Sequence, residues 1–335
     1  MNFELSNILA AQNLSVLTTT PDPDSMIACD LNHYGLLKIS GADATLFLQG
    51  QFSNDVGVLD GKNSQLSSYN SPKGRMLASF RLFKLRNDYF MRLPLDTLEK
   101  TQKRLSMYIM RSKVTLSNES AAYIGMGLSG PKIHALLTAA EFSPPKESNG
   151  MSVINEIIIL SVADNSTRYE VYGSVERLNF LIEKIKDKLS FHNNNSWRYL
   201  DILAGIPNIY ASTMEEFVPQ MINYALIDGV SFNKGCYPGQ EIVARMHYLG
   251  NLKKRMYLCH IETDQAINAN DEIFEHDSGK NQSVGQVVDV VPSSTQGLDA
   301  LCVLQIASAD NAKLSIKATN GPRVVLRDLP YKFKP

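Results

Sequence analysis

KGCYPGQE, at positions 234–241, sets one of only 4 cysteines among a lysine, two glycines and a proline. Tyr237-Pro238-Gly239-Gln240 has the pattern of a type II β-turn, with proline second, where φ is fixed, and glycine third, where φ is positive. Gln240, Glu241, Ile242, Val243, Met246 and Leu249 then read as a short helix ended by Gly250, with Glu241 in the first turn, where its charge complements the helix dipole. Cys236 falls just before that helix start and two residues from Lys234, and both features favour the thiolate, the nucleophilic and metal-binding form. The residue also fits a small buried thiol packed behind a turn. Tight turns run over surfaces, which favours presentation. The spacing names no reaction. No histidine stands at a telling distance, and His247, the nearest, reads as a surface residue rather than a catalytic partner.

The rest of the composition narrows the class. A chain of 335 residues with 44% hydrophobic and 20% charged residues is that of a globular protein of two or three domains. A net charge of −1 creates no global field towards nucleic acid or acidic membranes. Cys29, Cys236, Cys259 and Cys302 form no CxxC pair, so neither a zinc site nor a disulfide framework is expected. The N-terminus lacks the basic start of a signal peptide, and no apolar run approaches the ~18 residues of a spanning helix. The cytoplasm is the expected compartment.

Along the chain, 33–41 reads as a strand, 42–52 as a helix, 67–93 as three strands, 95–109 as a helix and 113–118 as a strand. PPKESNG (144–150) reads as a linker, followed by two apolar strands at 153–163 and 168–172. SVERLNFLIEKIKDKLS (174–190) is a helix by its period, with Ser174 as N-cap, and 197–205 is another, stopped by Gly205. Beyond 250, short apolar runs at 256–261, 284–291, 300–306 and 323–327 alternate with turns, as in a small antiparallel barrel or sandwich.

KGCYPGQE, with FVPQMINY (217–224) before it and EIVARMHYLG (241–250) after it, resembles the YgfZ-type folate-binding family, relatives of the aminomethyltransferase (T-protein) of the glycine cleavage system. GLLKISGADATLFLQGQFSNDV (35–56), PKGRMLASFRLFK (72–84), YIMRSKV (108–114) and WRYLDILAGIP (197–207) extend the likeness over most of the chain. It implies an α+β T-protein-like fold: a folate-binding body over 1–250 of two interleaved subdomains, with breaks near 50–60 and 144–150, and a C-terminal antiparallel β-barrel over 251–335. It implies folate, as tetrahydrofolate or a one-carbon derivative, in a central cavity, with Tyr34 and Trp197 at the positions of two tryptophans associated with the folate site. It also implies iron–sulfur enzymes of tRNA modification as partners, with Cys236 the essential thiol and Lys234, Tyr237, Gln240 and Glu241 around it.

Two departures qualify the resemblance. Tyr34 exchanges one aromatic for another. The segment KGRMLAS (73–79) carries Ala78 and Ser79 where the transferases have an aspartate, so ordinary one-carbon transfer lacks its general acid/base candidate. Lys73 and Arg75 read as a solvated hairpin or as contacts to a folate tail. NLKKRMY (251–257) is the best basic run, but without an aromatic array beside it direct nucleic-acid binding is not expected. A folate-dependent aminomethyl or methyl transferase and a non-catalytic regulatory scaffold are the alternative functions.

Overall fold

A computed structural model describes residues 5–162, 167–276, 282–311 and 313–333. The chain divides into two compact units whose segments interleave. One comprises Met1–Leu48, Val56–Gln65 and Phe80–Trp197, the other Gln49–Asp55, Leu66–Ser79 and Arg198–Pro335.

The first unit holds a seven-stranded sheet in the order Val16–Leu17, Ser190–His192, Ile27–Asp30, Ile124–Ser129, Arg168–Gly173, Ile157–Ser161, Met151–Ile154. Only the pairings made by Ser190–His192 are parallel; the others are antiparallel, which makes the class α+β. The core beneath it is supplied by helices Leu5–Ala11, Ile133–Ala139 and Val175–Ile185, through Leu5, Ile8, Leu137, Leu178, Ile182 and Ile185. The last helix starts as the sequence requires: the Ser174 hydroxyl accepts from the Arg177 N–H. A five-stranded sheet runs Ser64–Asn70, Met76–Leu85, Asp88–Pro94, Tyr34–Ser40, Thr115–Asn118. Helix Leu95–Ser106 buries Leu98 and Leu105. The helix expected over 42–52 is the shorter Ala44–Gln49.

One strand assignment is corrected. The apolar run 153–163 is not a single strand but the second half of a hairpin together with the end of its first. Met151–Ile154 and Ile157–Ser161 pair antiparallel, with Ile154 opposite Ile157. The two residues between them, Asn155 and Glu156, both have positive φ, 51° and 62°. That is the conformation of a two-residue turn whose twist matches the flanking strands.

In the second unit, residues 206–239 form turns without regular elements and bury Ile209, Phe217, Ile222 and Tyr224. Helix Gln240–Tyr248 follows. The barrel expected after 250 is present and closed: Lys254–Ile261, Leu298–Gln305, Ser283–Pro292, Glu272–Glu275, Leu314–Ile316 and Arg323–Arg327 pair in a ring, all antiparallel. The period-2 pattern explains its core, since Ala300, Cys302 and Leu304 of one strand all point inward beside Cys259 and Ile261 of the next. Among the described residues, no helix is long and apolar enough to cross a membrane.

Candidate functional site

The cysteine turn has the geometry its residues dictate. Gln240 N–H donates to the Tyr237 carbonyl at 3.2 Å, and Gly239 sits at φ 78°, ψ 2°, the third position of a type II turn. The Gln240 side chain reaches back, its Oε1 accepting from Tyr237 N–H at 3.3 Å. Only glycine fits at 239: besides its positive φ, a Cβ there would lie 2.4 Å from the Ser71 carbonyl oxygen and 2.7 Å from Gly74 Cα. The neighbouring turn is closed by Gly74 N–H donating to that same Ser71 carbonyl at 2.9 Å. Glu241 is exposed in the first turn of the helix.

Lys234 anchors the start of the motif. Its buried Nζ donates to the carbonyls of Gln49, Phe52 and Asn54 at 2.7, 2.6 and 3.2 Å, and lies 5.1 Å from the centre of the Tyr237 ring. The sequence assigns this ammonium to keeping Cys236 ionised; the structure spends its three N–H groups on backbone carbonyls. Burial pushes the Lys234 pKa down to about 8, with the Asp55 charge opposing the fall. Burial likewise pushes the Tyr237 hydroxyl up to about 12.

The receiving loop is itself fixed. Asn54 Nδ2 donates to the carbonyls of Leu66 and Asp228 at 2.8 and 2.7 Å, and Ser53 Oγ donates to that of Gly229 at 2.8 Å. Ser53 and Asn54 thus position the loop that receives Lys234, a role their residue types do not announce in the sequence. Their only signal is their place in the stretch 35–56.

Cys236 therefore lies between the Lys234 anchor and the Tyr237–Gln240 turn and is exposed, while Cys29, Cys259 and Cys302 are buried. A Cβ at Gly235 would meet nothing within 4 Å, so the chain beside the thiol faces open space. Among the described residues, no group of three or more His, Cys, Asp or Glu side chains is placed to hold a metal. His247 stacks on Phe232, with ring centres 3.7 Å apart. Ala78 is buried, and Ser79 Oγ accepts from Ile209 N–H at 2.8 Å, a structural task at one of the two positions that the resemblance sets against the transferases' aspartate. Lys73 is exposed, and Arg75 donates to the Glu216 carbonyl.

Tyr34 and Trp197 lie in the first unit, and both are buried. The Arg92 guanidinium stands 4.0 Å over the Tyr34 ring and binds Glu170 in bidentate fashion, Nε to Oε2 at 3.1 Å and Nη2 to Oε1 at 2.5 Å. Arg81 Nε approaches the same carboxylate at 3.7 Å, and Tyr172 donates to it at 2.8 Å. Burial alone would raise the Glu170 pKa, but Arg92 and then Arg81 hold it below the usual carboxylate range, so it stays ionised. Trp197 has Gly127 against its ring, where a Cβ would lie 2.3 Å from the indole, and Arg168 at 4.8 Å from the ring centre. Its indole N–H is buried without a hydrogen-bond partner.

A heteroaromatic ligand such as folate brings acceptors and donors on a flat ring, and the residues expected for it fit that chemistry. Trp197 offers an unmet buried donor, and Tyr34 adds a second aromatic residue. In the second unit, both amide atoms of buried Asn70 and the hydroxyl of Ser71, immediately before the turn at Gly74, also have no hydrogen-bond partner. Unmet buried polar groups of this kind call for a ligand or solvent to satisfy them.

The architecture is that of the aminomethyltransferases. The chain is similar to the glycine cleavage system aminomethyltransferase T from Bartonella henselae, with a TM-score of 0.75 and 15% identity over 93% of this chain and 87% of that one. No family model matches the chain. Among curated proteins, it is 31% identical to the "tRNA-modifying protein YgfZ" of Hamiltonella defensa over 68% of each chain. It is 28% identical to the protein of that name from Yersinia enterocolitica over 97% of each. A third, from Colwellia psychrerythraea, is 28% identical over 90% of this chain and 92% of that protein. The chain belongs to the YgfZ family.

Proposed function

We propose that this protein is a folate-binding accessory factor for tRNA modification, supporting iron–sulfur enzymes of that process in the cytoplasm, with Cys236 as its reacting group. The observation that carries this reading is the single exposed thiol among four, set on a glycine turn and anchored through Lys234. The fold and the names of the relatives support the folate and tRNA parts. Tyr34 and Trp197 would hold the pteridine end of the ligand, and bound folate would supply one-carbon or redox chemistry. Cys236 would act as a nucleophile, redox thiol or transient iron ligand, Tyr237 and Gln240 would hold its turn, and Glu241 would face a partner. The body over 1–250 and the module over 251–335 would be the functional domains. The absence of a carboxylate at Ala78 and Ser79 disfavours the transferase alternative.

The test is complementation of a strain lacking the protein by Cys236→Ser and Cys236→Ala, read with the activity of an iron–sulfur tRNA-modifying enzyme. Both variants should fail while folate still binds. If Cys236→Ser works as well as wild type and Glu241 or Lys234 changes do the damage, the scaffold reading replaces this one.

A further inference from the structure

Between Glu241 and Glu262 the chain has no acidic residue, yet it carries Arg245, Lys253, Lys254 and Arg255. For a protein of net charge −1 this is a local concentration of one sign. The basic run taken by itself has no stacking array beside it; the fold supplies one from residues distant in sequence. Phe232 and His247 stack with centres 3.7 Å apart and an interplanar angle of 14°. Tyr248 stands edge-on to both, 4.8 Å from His247 and 6.1 Å from Phe232, and is 64% exposed. On the barrel strand that follows, Arg255 lies 4.2 Å over the Phe333 ring.

Of these groups, His247, Arg255 and Phe333 line a cavity of about 450 Å³, together with Met246, Leu252 and Gln220. That is within the range of small-ligand clefts. No carboxylate lines it. Gln220 donates its amide N–H to the Val243 carbonyl at 2.6 Å, which leaves its buried Oε1 without a hydrogen-bond partner. The surface thus combines exposed π-faces, stacked guanidinium, an unmet acceptor and excess positive charge. An acidic peptide would use the charge but not the stacked rings. Unpaired nucleotides use both, because every base has a face to stack and every phosphate a charge to neutralise.

We propose that the C-terminal end of helix Gln240–Tyr248 is a docking site for single-stranded RNA. An unpaired base stacks on the Phe232, His247 and Tyr248 cluster at the mouth of the cavity, and adjacent phosphates meet Arg255, Lys253 and Lys254. The choice of RNA over DNA rests on the tRNA-modification reading; the site itself does not depend on folate or on the thiol.

The test is fluorescence anisotropy of a labelled oligouridine of about ten nucleotides, within the footprint of such sites, titrated with full-length Cys236→Ser protein without folate. Using that variant keeps failure of the thiol reading separate from failure of this one. Binding should weaken at least about fivefold in Tyr248→Ala, the lower end expected for one lost stack. The double variant Lys253→Gln, Lys254→Gln should lower the salt slope by roughly 1.4, or 0.7 per phosphate contact. All three side chains stand at least partly in solvent, so unchanged melting temperatures should accompany both effects. The proposal is overturned by absence of binding, by indifference to Tyr248→Ala, by equal affinity for the matching DNA or for duplex RNA, or by equal displacement with polyglutamate.

Discussion

Gly239 and Gly74 meet backbone to backbone: a Cβ on Gly239 would lie 2.7 Å from the Cα and from the amide nitrogen of Gly74. Both residues have positive φ, 78° and 71°. The turn that follows Cys236 is thus positioned by a second turn more than a hundred residues earlier in the chain; Gly239 has no room for a side chain at the contact, and a Cβ on Gly74 would lie 2.9 Å from the Ile242 side chain.

Gly239→Val should accordingly abolish complementation although the sulfur is untouched. A β-branched residue resists positive φ, at a strain of about 1–3 kcal/mol before any clash is counted. Thermal melts and complementation of the variant check this. Wild-type values in both would show that the turn does not fix the thiol.

Exposure sets the order of thiol reactivity. In a brief iodoacetamide pulse followed by mass spectrometry, Cys236 should be modified first, because Cys29, Cys259 and Cys302 are 0% exposed and react only through local opening. Burial, with hydrogen bonding to Cys302, also raises the Cys259 pKa well above that of an ordinary thiol, which slows it further. Finding Cys236 the slowest of the four would defeat the reactive-thiol reading.

The Lys234 anchor carries a pH signature. Its folded pKa, about 8, lies below the 10.5 of an ordinary lysine, so between those values the folded state binds fewer protons than the unfolded state. Stability from this group is therefore fully present above 10.5 and lost as pH falls through 8. Relative to Lys234→Met, wild type should gain about 1–3 kcal/mol between pH 8 and 10.5 in denaturant titrations. The three carbonyl hydrogen bonds act the other way by favouring the ammonium, and a flat difference across that window would show that they cancel the effect of burial.

Tetrahydrofolate should quench the fluorescence of Trp197, the sole tryptophan, with micromolar-class affinity. Trp197→Ala should weaken binding by about 1–3 kcal/mol, the range for a buried aromatic contact. Gly127→Ala offers an independent probe, because the added methyl would press on the indole at 2.3 Å without removing it. Calorimetry showing no heat with wild type would remove folate from the reading.

The sequence exposes what is local. Ser174 and the apolar period of 175–185 fix that helix, the Pro238-Gly239 pair fixes its turn, and alternation after 250 marks the barrel strands. It blurs what a single dihedral decides: Asn155 and Glu156 fold an apparently continuous apolar stretch into a hairpin because both accept positive φ, which composition does not announce. It hides what only packing assembles. Arg81, Arg92 and Glu170 look like ordinary outward positions of strands, yet they form a buried ionic cluster. Lys234 likewise stands two residues from Cys236 in sequence, while its ammonium binds a loop nearly two hundred residues away. Sequence neighbours share a backbone, and side-chain direction belongs to the fold.

Closure of the C-terminal barrel has a consequence for recruitment. Each of its six strands has a hydrogen-bonded neighbour on both sides, so among the described residues the module has no edge strand with a whole ladder free. β-augmentation, a common way for sheet proteins to capture partners, therefore finds no full-length edge among these residues. Whatever docks on it must be recognised through side chains and connecting loops, so its specificity can drift by point substitution without disturbing the barrel beneath.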